Sequence, residues 1–208
     1  MSLPRADATD GGEVLRLVVW RHPRPEGVAG RCIGRTDVPV DPRRAKRLAH
    51  RIRRRARREG WPRCVWTSPL RRCALVGRWL AHWGWQHRID PRLAELDFGA
   101  WDGKDWSDLP PRALDAWSAD FERHAPGGGE TLAELLQRCE AFLAAAVPDA
   151  PLLVVGHAGW MNAASLIAEH AARPLQAAQW PRGPAYASAL ELAFFFEAEG
   201  RGALPSSG

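Results

Sequence analysis

The chain has 208 residues, long enough to bury one sizeable core and short for two, so a single domain is expected over residues 14–200. An apolar share of 46% and a charged share of 25% exclude a disordered or collagen-like chain. The formal charge of +5 and the pI near 9.6 come almost wholly from arginine, since Lys46 and Lys104 are the only lysines, and they favour anionic ligands.

Residues 1–13 (MSLPRADATDGGE) read as a polar tail without the apolar core of a secretory signal, and residues 201–208 as a second tail. With no apolar run long enough to cross a bilayer, the cytoplasm is the expected location. Val14 to Trp20 is a valine- and leucine-rich run that predicts a buried parallel strand, ending at Arg21-His22-Pro23. A long loop follows to Pro42, rich in proline and glycine. Residues 42–58 place Ala45, Leu48, Ala49, Ile52 and Ala56 on one stripe, which predicts an amphipathic helix with arginines outward. Arg63 to Thr67 reads as a strand and Arg71 to Trp83 as a helix with Ala74, Leu75, Arg78, Trp79 and His82 in its turns. Trp79, Trp83 and Trp85 are expected to pack that helix. Residues 85–98 are mixed, and residues 99–129 read as an irregular, partly helical insertion carrying Trp101, Trp106 and Trp117. Thr131 to Ala146 predicts a helix, Leu152 to Val155 a strand, Ala158 to Glu169 a helix, and Ser188 to Phe196 a last strand.

Strands alternating with helices predict an α/β three-layer sandwich, a mainly parallel sheet with helices on both faces. Ligands of such sheets bind outside the carboxyl ends of the strands. Three predicted strands end at Arg21-His22, at Ser68-Pro69-Leu70-Arg71-Arg72, and at Gly156-His157-Ala158-Gly159. Each segment alone also reads as ordinary surface or packing; their delivery to one sheet edge suits a phosphate pocket. Cys32, Cys64, Cys73 and Cys139 show neither CxxC nor metal-ligand spacing, so reduced thiols are expected, and neither a metal nor a cofactor is called for.

These segments resemble the histidine phosphatase (phosphoglycerate mutase-like) superfamily. RHP at 21–23 is similar to its RHG signature, SPLRRC at 68–73 to its S-x-L-x-R-A element, and RLAELDFGAWDG at 92–103 to its R-L-x-E and G-x-W-E-G stretch. PGGGETL at 126–132 resembles G-G-E-S, and VVGHAG at 154–159 resembles G-H-x-G, so five elements follow the superfamily's order. The resemblance implies a phosphoglycerate mutase-like fold, His22 as the residue that takes the phosphoryl group, Glu95 as proton donor, and Arg21, Arg72 and His157 as phosphate ligands. GRCIGRTDVPVDP at 30–42 further resembles the branch that includes α-ribazole phosphatases of cobalamin assembly.

The chemistry suits those residue types. A neutral imidazole is a competent nucleophile toward phosphorus, and a covalent intermediate splits one hard displacement into two easier ones. Two guanidinium forks and a protonated imidazole would stabilise the charge on the phosphoryl oxygens. The leaving alkoxide needs a proton, which Glu95 would supply before activating water, with Asp97 and Asp102 as nearby substitutes. Pro23 departs from the superfamily's glycine, and Val28 stands where many relatives place an asparagine on the phosphate; Cys32, Arg35 or Thr36 are candidates to fill that position, and Cys32 and Thr36 read equally well as residues that only pack and cap the loop.

The expected function is metal-independent hydrolysis of a small phosphomonoester, with α-ribazole 5′-phosphate as the named candidate. The insertion tryptophans could wall a ring-bearing substrate or simply pack a core. Two alternatives stay open: phosphoglycerate mutase-type transfer, which usually goes with longer insertions, and a non-catalytic polyanion-binding protein on the same fold. The partner expected is a small phosphorylated substrate. Nucleic acid and membrane are not expected, because the arginines of residues 43–58 read as a solvated helix face and no aromatics interleave with them as base stacking would need, and a homo-oligomer is possible.

Overall fold

The computed structural model describes residues 13–146 and 150–196, so both predicted tails lie outside it except for Glu13, which opens the first strand. Five strands, β1 (Glu13–Arg21), β2 (Cys64–Thr67), β3 (Gln86–Ile89), β4 (Leu152–Gly156) and β5 (Ala189–Phe196), form one sheet in the order β3-β2-β4-β1-β5. All neighbours are parallel except β5, which runs antiparallel to β1. Five helices accompany them: α1 (Pro42–Glu59), α2 (Arg71–His82), α3 (Pro111–Ala119), α4 (Leu132–Ala144) and α5 (Ala158–Ala168).

The alternation of β1 explains the layers. Leu15, Leu17 and Val19 face a core shared with α4 and α5, through Leu135, Phe142, Trp160 and Ala164. Val18 and Trp20 face the other core, against Leu48 and Ile52 of α1 and Val76 and Leu80 of α2. Because both faces of β1 and β4 are covered, their sequences are nearly continuous apolar runs, as parallel central strands require. The fold is thus the three-layer α/β sandwich expected.

The stripe expected on α1, Ala45, Leu48, Ala49, Ile52 and Ala56, is the set that the structure buries. Asp41 caps its N-terminus through Arg43 N at 2.7 Å, and Gly60 ends it in the left-handed region at φ 68°. The helix expected from Arg71 to Trp83 forms as α2 and ends at His82. Arg72, Cys73, Val76 and Leu80 point inward beside Ala74, while Leu75 and Trp79 are half-buried and Arg78 and His82 lie outward. That inward face includes Arg72, whose charge conceals it from a hydrophobic pattern. Strand β3 is the element the residues hide most, because QHRI at the sheet edge buries none of its side chains.

Register positions the site. Arg21 pairs with Gly156 and Thr67 with Val155, so β1, β4 and β2 end level with one another. Strand β5 starts at the same edge, with Ala189 opposite Trp20, and the segment before it is held there by Arg21 N on Ser188 O at 3.0 Å. The insertion folds against this edge around Cys32, Trp101 and Leu109. Its backbone is packed closely enough that a Cβ on Gly99 would strike Gly127 O and one on Gly127 would strike Phe98 O. Among the described residues, no helix is long and apolar enough to cross a membrane.

Candidate active site

At the end of β1 the backbone of His22 is tied to β4 by its N–H on Gly156 O at 3.0 Å. Its Nδ1 lies 2.8 Å from Pro23 O. A carbonyl can only accept, so Nδ1 carries the proton and the lone pair is left on Nε2. Proline retains the carbonyl that this contact uses, so the departure from glycine at this position leaves the anchor intact. Burial first, and the positive charges of Arg72 and Arg21 after it, hold the His22 imidazolium well below its ordinary 6.5, against an opposing push from the Pro23 hydrogen bond.

Arg72, in the first turn of α2, is 1% exposed. It donates to Gly34 O at 2.6 Å, to Thr36 O at 2.8 Å and from Nε to His157 Nδ1 at 3.2 Å. The ring of His157 lies 5.0 Å from that of His22, centroid to centroid. An arginine can only donate, so the neutral His157 carries its proton on Nε2, which is 3.4 Å from Cys73 Sγ. His157 is wholly buried and touches His22 and Arg72 without itself lining the cavity. Burial, then Arg72, His22, Arg138 and Arg21, hold it well below its ordinary value, so the imidazole expected to be protonated is neutral beside these cations.

Arg21 leans its guanidinium 3.8 Å over the ring of Tyr186 and donates to Pro184 O at 2.6 Å. Glu95 is 8% exposed. Its Oε2 accepts from Gly159 N at 3.1 Å, at the N-terminus of α5, and its Oε1 accepts from Leu96 N at 3.1 Å. A Cβ on Gly159 would collide with that carboxylate, which is the physical reason for glycine in GHAG. Asp97 and Asp102, the substitutes considered for Glu95, are committed elsewhere. Asp102 holds the loop through Gly34 N at 2.9 Å and Thr36 N at 2.7 Å, and Asp97 accepts from Gly99 N at 2.8 Å.

A cavity of about 230 Å³ opens over these groups. Arg21, His22, Arg72 and Glu95 form its base, so the fold brings four of the five predicted residues to one wall and sets His157 directly against two of them. Val28 lines it, but none of the three candidates to replace the asparagine does. Cys32 is buried under Trp101 and Leu109 with its thiol pushed up to about 12 by burial, Thr36 spends its carbonyl on Arg72, and Arg35 lies 3.6 Å from Glu130. The polar groups that do reach the cavity, besides the base, are Arg31, Asn162 and Tyr186. Arg31 belongs to a motif already singled out, whereas nothing in the pattern of α5 distinguishes Asn162.

The upper wall is aromatic. Phe98 meets Trp106 and Trp117 edge-on at 5.7 and 6.1 Å, Trp117 contacts Phe121 at 5.1 Å, and Phe121 meets Trp180 at 5.9 Å. These interlocked rings form a preformed surface. Trp106 and Trp117 face the cavity, while Trp101 stands in a second row, 5.8 Å from Trp117.

The two histidines also make stability depend on pH. Unfolding exposes rings that protonate below about 6.5, whereas the folded rings stay neutral well below that, so stability is full above this value and is lost as pH falls through it. Each ring contributes a slope of up to about 1.4 kcal/mol per pH unit. Urea unfolding between pH 7.5 and 5 is expected to show this loss, and His22→Asn should reduce the slope by up to about 1.4 kcal/mol per pH unit; an unchanged slope in that variant would contradict the buried neutral assignment.

The model of the histidine phosphatase superfamily, branch 1, matches residues 17–194. The chain belongs to this superfamily. Among solved structures, this superfamily member is similar to a protein described as mycobacterial hydrolase 1, with TM-score 0.70 and 28% identity over 86% of this chain and 92% of that one. It is similar to a mycobacterial glucosyl-3-phosphoglycerate phosphatase, with TM-score 0.69 and 28% identity over 86% and 90% of the two chains. A Thermus thermophilus protein is 25% identical, with TM-score 0.64 over 85% and 92%. No curated protein sequence matches the chain. Superfamily and neighbours together support phosphatase activity in general.

Proposed function

We propose that this histidine phosphatase superfamily member hydrolyses a small phosphomonoester through a phosphohistidine at His22, with no metal taking part. The observation that carries the proposal is the Nδ1 contact to Pro23 O, which leaves Nε2 unprotonated in a buried pocket next to two arginines. In the first step Nε2 attacks phosphorus and the ester P–O bond breaks, while Glu95 passes its proton to the departing oxygen. In the second, the Glu95 carboxylate takes a proton from water, whose oxygen attacks phosphorus as the P–N bond breaks and inorganic phosphate leaves. Arg21 and Arg72 oppose the charge on the phosphoryl oxygens throughout. A dianion beside His157 counteracts the cations that keep it neutral, so binding favours protonating that ring.

The finer reading is a ring-bearing leaving group, with α-ribazole 5′-phosphate as the candidate. The wall of Phe98, Trp106, Trp117, Phe121 and Trp180 supports it, since flat rings gain more there than a small hydrophilic acid does. The test is a phosphatase assay in EDTA on α-ribazole 5′-phosphate, nucleoside monophosphates, 3-phosphoglycerate and an aryl phosphate. The expected result is release of inorganic phosphate, with kcat/KM about ten-fold or more higher for ring-bearing esters than for 3-phosphoglycerate. Turnover that favours 3-phosphoglycerate would overturn the ring reading, mutase products would replace hydrolysis by transfer, and no turnover on any ester would favour the polyanion-binding alternative.

A further inference from the structure

The mechanism leaves unused the PGGGETL segment and the helix it opens. Glu130 of that segment and Arg138 of α4 form an ion pair, Nε on Oε1 at 2.6 Å and Nη2 on Oε2 at 3.0 Å, with both side chains largely buried. Arg138 also reaches across to the backbone that carries Glu95. Its Nη1 donates to Arg92 O at 2.6 Å and Ala94 O at 2.7 Å, and its Nη2 donates to Glu95 O at 3.1 Å. A guanidinium has five N–H donors, and all five are engaged here. Glu130 completes the grip from the other end of the segment, where Oε2 accepts from Asp97 N at 3.3 Å and the Glu130 N–H binds Asp97 O at 2.8 Å.

We infer that Arg138, braced by Glu130, is a positioning residue that holds the Glu95 backbone where its carboxylate meets both Gly159 N and the phosphate pocket. The inference rests on the phosphomonoester reading above. Neither Arg138 nor Glu130 lines the cavity, so neither touches substrate. Their effect passes through the carbonyls of residues 92, 94 and 95, which tie the Glu95 segment to α4, while the side chain is tied to α5. Proton transfer tolerates little misplacement, and a shift of about 1 Å costs up to about 100-fold in rate. Lysine cannot substitute, because a compact ammonium with three donors has no planar fork to span a carboxylate and three carbonyls.

The experiment compares kcat/KM for an alkyl ester, β-glycerophosphate, with that for p-nitrophenyl phosphate in wild type, Arg138→Lys and Glu95→Gln. This parameter reports the step in which the ester bond breaks, and the nitrophenolate leaves with little protonation. Arg138→Lys is expected to lower the alkyl value about 10- to 100-fold and the aryl value by less than about 3-fold. In the Glu95→Gln background, Arg138→Lys is expected to add little further alkyl loss. Equal losses on both esters, or no loss on either, would overturn the inference. Glu130→Gln, which keeps the size but removes the charge that grips Arg138, is read in the same way; unfolding of both variants would show that the clamp serves stability alone and would overturn the positioning role. Should Glu95→Gln itself lack the alkyl-over-aryl split, the assignment of Glu95 fails instead.

Discussion

His22→Ala is expected to lower kcat/KM for every phosphomonoester by about 10⁴-fold or more, because it removes the atom to which the phosphoryl group is transferred. The buried neighbours His157 and Cys73 cannot replace it. His157 offers no free lone pair, with Nδ1 taken by Arg72 and the proton on Nε2, and Cys73 is a buried thiol pushed well above its ordinary value by burial. Arg21 and Arg72 remain in the variant, so phosphate or vanadate should still bind, and the loss should fall in kcat rather than in KM. Rapid quenching of wild type with labelled substrate should trap an acid-labile, base-stable phosphoenzyme that is missing from the variant. Turnover retained in His22→Ala would exclude the nucleophile assignment outright.

Glu95→Gln is expected to depend on the leaving group. An alkoxide is a poor leaving group without a proton, so kcat/KM for an alkyl phosphate should fall about 10²- to 10⁴-fold, while an aryl phosphate should lose far less in this step. Glutamine keeps the size of the side chain and can still accept from Gly159 N through its carbonyl oxygen, giving up only the contact from Leu96 N that its NH2 cannot accept. Hydrolysis of the phosphoenzyme, which needs the carboxylate as base, should slow for both esters alike, and pre-steady-state bursts with the aryl ester separate the two steps. Equal loss of kcat/KM on both esters would argue against Glu95 as the acid.

Two independent observations bear on the proposed hydrolysis. The superfamily assignment and the mycobacterial phosphatase neighbour come from similarity, whereas the tautomer of His22 comes from one hydrogen bond within this chain. The upper cavity is lined by Val28 and by the interlocked aromatic rings of the insertion.

The residues by themselves determined the layered α/β fold, the inward stripe of α1 and the convergence of Arg21, His22, Arg72 and His157 on one edge, because hydrophobic period and short motifs at strand ends are local signals, while Glu95 was legible only through the family resemblance. Only the tertiary structure decided the rest. Strand β3 and the inward face of α2 were hidden because an exposed edge strand and a buried arginine carry no apolar period. Asp102, Thr36 and Arg35 proved to be occupied by partners more than 30 residues away, and Asn162 and Arg31 reach the cavity from segments far apart in the chain. The proton positions on the two imidazoles likewise depend on which neighbour each ring nitrogen meets, Pro23 O for one and Arg72 Nε for the other. Contacts of that kind are set by packing across the sheet, and a linear pattern encodes them only once the chain has folded.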